Sequence, residues 1–79
     1  MQEEEDMIFV FIPSLVALLL AEEEKKGLPL IEDEVIHIRN NALGMNIPRN
    51  ALAPLEEGRG YKDIDPENCW IEWCEFRNV

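Results

Sequence analysis

An all-α fold, a small bundle of three to four short helices preceded by a short extended segment, is what three features of this chain predict. The first is a run from Met7 to Ala21 in which only Ser14 carries a polar side chain. The second is an apolar stripe at helical spacing, Ile31, Val35, Ile38 and Ala42. The third is Asp65-Pro66-Glu67, a capping residue followed by proline and an acid, placed just ahead of another apolar stripe. A chain of 79 residues holds one small core, so these features are assigned to a single helical domain over 1–79.

Residues 1–12 read as an acidic head and an extended arm. Met7 to Ile12 is rich in Ile, Phe and Val, and Ile12 precedes a proline, which disfavours helical backbone there. The first helix is expected over 13–26. Pro13 suits a first turn, Leu15 to Leu20 propagate it, and Gly27 followed by Pro29 stops it. Lys25 and Lys26 fall in the last turn, where the helix dipole favours cations. Because the first half of this helix is apolar all round, it is expected to be central to the bundle.

The second helix is expected over 31–43. Glu32, Asp33 and Glu34 crowd its first turn, and His37 lies off its apolar stripe, as a solvated histidine would. Asn40, Asn41 and Gly44 end it. A short third helix over 48–57 starts at Pro48 and is bent or divided by Pro54, with Leu52 and Leu55 turned to the core. Gly58-Arg59-Gly60 forms a loop before Tyr61. The fourth helix, over 66–77, is capped by Asp65; Cys69, Trp73 and Phe76 form its buried stripe, with Trp70 to one side and partly exposed.

Composition narrows the function. The 47% apolar content argues for a packed fold, and the formal charge of -10 (7 basic minus 17 acidic residues) argues against nucleic acid or anionic lipid as a partner. The apolar run lacks the positive start and small-residue cleavage site of a signal peptide. As a helix its fifteen residues would rise about 22 Å, short of a hydrocarbon core of about 30 Å, with Pro13 near the middle. A cytoplasmic chain is therefore expected, with a membrane-associated miniprotein anchored through 7–21 as an alternative. Cys69 and Cys74 are five apart on one expected helix and point about 140° from one another, so they read as reduced thiols.

Nothing in the chain carries catalytic chemistry. There is one histidine, and its only serine is Ser14. Asp63, Asp65 and Glu67 alternate like the opening of a calcium loop, but Asn68 stands where that loop needs glycine and Cys74 where it needs glutamate. No cofactor, metal or catalytic residue is assigned, and the chain is not read as an enzyme. The expected function is a small acidic protein-interaction module, self-associating or bound to a protein partner. A chain this short gains stability by burying apolar surface against another. Phe9, Phe11, Tyr61 and Trp70 are the candidate contacts, since aromatic anchors dominate interfaces. Toxin-neutralising proteins, immunity or antitoxin-like, are an alternative on size, charge and helix content alone, with no matching motif.

Overall fold

The computed structural model describes residues 6–77. In chain order they form strand β1 (Met7–Phe11), helix α1 (Leu15–Lys26), helix α2 (Glu32–Asn41), strand β2 (Gly44–Pro48), a 3₁₀ turn (Arg49–Ala51), helix α3 (Leu52–Arg59), a second 3₁₀ turn (Pro66–Asn68) and helix α4 (Cys69–Arg77). The fold is mostly helical, as expected, but it is not all-α. β1 and β2 pair antiparallel in a two-stranded sheet, with Met7 opposite Pro48, Phe9 opposite Asn46 and Phe11 opposite Gly44. The extended arm is thus a strand, and its partner is the segment the sequence left as a link between the second and third helices.

The sheet is closed at both ends by backbone bonds just outside it. Ile12 N–H donates to the Leu43 carbonyl at 3.0 Å, and Arg49 N–H to the Asp6 carbonyl at 2.9 Å. Gly44 is required at its position: a Cβ there would collide with the Val10 carbonyl and the Phe9 ring. Phe9 therefore packs over the glycine and meets Phe11 edge to face at 5.2 Å.

Helix boundaries shift for local reasons. Ser14, with extended backbone, is the N-cap of α1, and its Oγ accepts from Ala17 N–H; Pro13 therefore lies outside the helix, joined to Ile12 by a cis peptide. Gly27 closes α1 in the left-handed conformation at φ 77°, as its position in the sequence implied. Ile31 is the N-cap of α2 and exposed, so it leaves the predicted stripe, while Val35 stays fully buried. Ala42 and Leu43 lie beyond the helix and lead into β2. Glu34 reaches back to Ile31 N–H at 3.0 Å and takes the Lys26 ammonium at 2.6 Å. Those two bonds hold its carboxyl below the usual glutamate range, that to Lys26 contributing more.

Pro54 does not break the third helix. It falls in the first turn of α3, where a missing N–H forfeits no bond, so the helix runs on to Arg59 and ends at Gly60, φ 85°. Leu52 and Leu55 are half-buried and stand outside the main core.

That core joins Phe11, Leu15, Val16 and Leu19 to Leu30, Val35, Ile64, Cys69 and Trp73, with Ile36, Ile38, Ala42 and Trp70 packed against it. α1 is central, but not on every side: Leu20 is exposed. Two ties hold the other helices in place. Arg39 on α2 donates to the Pro66 carbonyl at 2.8 Å, and Arg77 on α4 meets Glu23 of α1 at 3.0 Å.

Candidate interaction surface

The start of α1 organises the surface around it. A helix leaves its first N–H groups without partners, and here a side chain distant in sequence supplies them. Asp63 accepts from Leu15 N–H at 2.7 Å and Val16 N–H at 2.9 Å, and from its neighbour Ile64 N–H at 2.8 Å. A carboxylate at this end is also favoured by the helix dipole. Buried Ser14 completes the cap, its Oγ lying 2.7 Å from the Tyr61 hydroxyl. Arg59 donates to the Phe11 carbonyl and sits 3.9 Å from Asp63. The segment from Arg59 to Ile64 is thereby fixed across the end of β1 and the first turn of α1.

That fixation sets Tyr61 and Ile64 beside Val16, Ala17 and Leu20. From the other side comes Phe76 of α4, stacked on the buried Trp73 at 5.7 Å and 17° between planes. The result is a cleft of about 300 Å³ lined by Val16, Ala17, Leu20, Tyr61, Lys62, Ile64 and Phe76. Leu20, Tyr61 and Phe76 form its exposed rim. Among the described residues no carboxylate lines it, in a chain of net charge -10.

The four residues expected from the sequence to contact a partner do not converge here. Tyr61 is on the cleft. Phe9 is half-exposed on the sheet, Trp70 is partly buried against the core, and Phe11 is 6% exposed within it and so is not a surface contact. Leu20 and Phe76 were missed, Phe76 because its helical spacing from Trp73 reads as core. The one available signal was that a helix apolar all round, in a chain with so few partners for it, must leave a side uncovered.

The apolar run 7–21 is divided between β1 and α1, and among the described residues no helix is long and apolar enough to cross a membrane. Among them, too, no group of three or more His, Cys, Asp or Glu side chains is gathered as a metal site; Asp65 instead caps the turn at Pro66, its carboxylate accepting from Glu67 N–H at 3.0 Å. No protein-family model, curated protein or solved structure matches the chain.

Asp63 is not in the cleft lining but holds the loop that is, so its removal tests the support of the cleft. Asp63→Ala removes the acceptor for three backbone donors, and hydrogen bonds to a charged, partly buried group contribute about 1.5–3 kcal/mol. A loss of about 2–3 kcal/mol is expected in urea denaturation, with Asp63→Asn intermediate because one amide oxygen replaces two carboxylate oxygens. Wild-type midpoints for both variants would show that α1 is capped by something else.

Proposed function

We propose that the chain is a small acidic interaction module that pairs with a second copy of itself through the cleft of Val16, Leu20, Tyr61 and Phe76. The carrying observation is that, among the described residues, this apolar surface has no carboxylate in its lining. Two copies, each of net charge -10, repel one another least where no carboxylates face. A two-fold pairing sets the same patch against itself, so Leu20, Tyr61 and Phe76 of each copy meet those of the other, an aromatic and aliphatic centre of the kind interfaces favour.

The reading is non-enzymatic. Tyr61 and Lys62 are the polar residues that line the cleft; the Tyr61 hydroxyl is engaged with Ser14, and Asp63 is spent on the N–H groups of α1. It also places the chain in the cytoplasm as a soluble protein, in keeping with two free cysteines and a charge that disfavours anionic lipid.

Sedimentation at micromolar concentration should give a dimer. Leu20→Glu, which brings two carboxylates together across the two-fold, should weaken it at least tenfold while the helical circular dichroism stays unchanged. A monomer at every concentration, or a Leu20→Glu variant as dimeric as wild type, would overturn the proposal.

A further inference from the structure

A second surface, on the far border of α1, has the opposite character. Two clefts of about 310 and 450 Å³ share Glu22, His37 and Ile38 and so form one valley between α1 and α2. Its α1 wall is Leu18, Glu22 and Lys26, one side chain per turn; the facing wall is Glu34, His37, Ile38 and Asn41 of α2, with Ala42 just beyond the helix end. Eight residues separate Leu18 from Lys26, about 12 Å of helix, so the valley matches a little over two turns of a third helix laid along the pair.

We propose that this valley seats a short amphipathic helix of a protein partner, with apolar side chains on the valley floor and basic residues along its borders. The charge of the rim argues for that occupant. Among the described residues Glu22, Asp33 and Glu34 border the valley, against one cation, Lys26, already taken by Glu34 at 2.6 Å. Among the described residues Glu22 meets Lys25, at 3.6 Å and open to solvent, a pairing that an incoming cation can replace at little cost. The far end supplies an anchor point: Leu43, beside Pro13, is 77% exposed, the most exposed of the large apolar side chains described.

A helix fits better than a strand because the backbone groups of α1 and α2 are spent within their own helices and offer no edge to pair with. A second copy of this chain is disfavoured here, since it would bring its own excess of carboxylates to an acidic rim. The valley is separate from the cleft of Tyr61 and Phe76, and the proposal does not depend on self-association.

The probe is a 14-residue helical peptide of leucine and lysine, with leucine at i, i+3, i+4 and i+7 spacing. Its control has the same composition in an order that abolishes the apolar face. The amphipathic peptide should bind, more weakly as salt rises, and shift the amide resonances of Leu18, Glu22, Ile38 and Ala42 while leaving Leu20 and Phe76 in place. Leu43→Ser and the double variant Glu22→Gln with Asp33→Asn should each weaken binding at least tenfold and remain as dimeric as wild type. Leu20→Glu should bind the peptide as wild type does. Equal binding of the scrambled peptide would show general attraction to an acidic protein and overturn the proposal. Undiminished binding by the valley variants would do the same, as would a loss of the dimer in Leu43→Ser, which would assign the valley to self-association.

Discussion

Leu19→Asp should leave the chain unfolded or insoluble. Leu19 is fully buried on α1, in the core cluster that also holds Phe11, Val35 and Trp73. A carboxylate placed there has no partner, and burying it costs several kcal/mol whether it is protonated or forces the helix open. At about 0.05–0.15 kcal/mol per residue, a chain of this length has roughly 4 to 12 kcal/mol to lose. The neighbouring Leu20→Asp is the control. Its side chain is exposed on the cleft, so it should keep its helical circular dichroism and melt near wild type while losing the proposed dimer. If both variants melted alike, α1 would not be the helix around which the core is built.

The contrast between those neighbours marks where sequence reasoning succeeds and where it stops. α1, α2 and α4 are legible because their signals are local: the glycine stop at Gly27, the acids in the first turn of α2, and Asp65-Pro66 ahead of Cys69 all lie within a turn of what they determine. The buried stripe of Cys69 and Trp73 follows from period alone. Strand β2 has no comparable local signal. Gly44, Asn46 and Pro48 are poor strand formers, and they become a strand by pairing with β1 across two intervening helices. Only the pairing explains why Phe9 packs over Gly44.

The surface was legible in part. Tyr61 stood out as an aromatic next to a loop, and the loop does hold it on a cleft. Asp63, which fixes that loop, is paired with Leu15 and Val16 at a separation of 47 and 48 residues, a relation no window of sequence contains. Read locally, Asp63 resembled the first acid of a calcium loop; its oxygens are instead taken up by helix N–H groups. Phe11 was misplaced because aromatic character cannot distinguish the open end of a strand from the end covered by α1 and Arg59.

Trp73→Ala should be the costliest truncation on α4, about 3–5 kcal/mol, as for large aromatics removed from a core. Trp73 is fully buried, stacks on Phe76, and lies beneath the Arg77 guanidinium at 5.9 Å, so its loss opens a cavity and also frees the rim of the proposed dimer cleft. Two comparisons separate these effects. The Trp73 indole Nε1 is buried with no hydrogen-bond partner among the described residues. Trp73→Phe therefore removes an unsatisfied donor along with some packing, and it should cost well under half of what alanine does. Trp70 is only partly buried and lies off the cleft, so Trp70→Ala should cost about 1–2 kcal/mol and leave the proposed dimer intact. Acrylamide quenching of single-tryptophan variants reads the same difference directly, with Trp70 the more accessible. Equal quenching of the two, or equal destabilisation by the two alanines, would show that α4 packs through a different face, and Phe76 would then lose the support that holds it at the cleft.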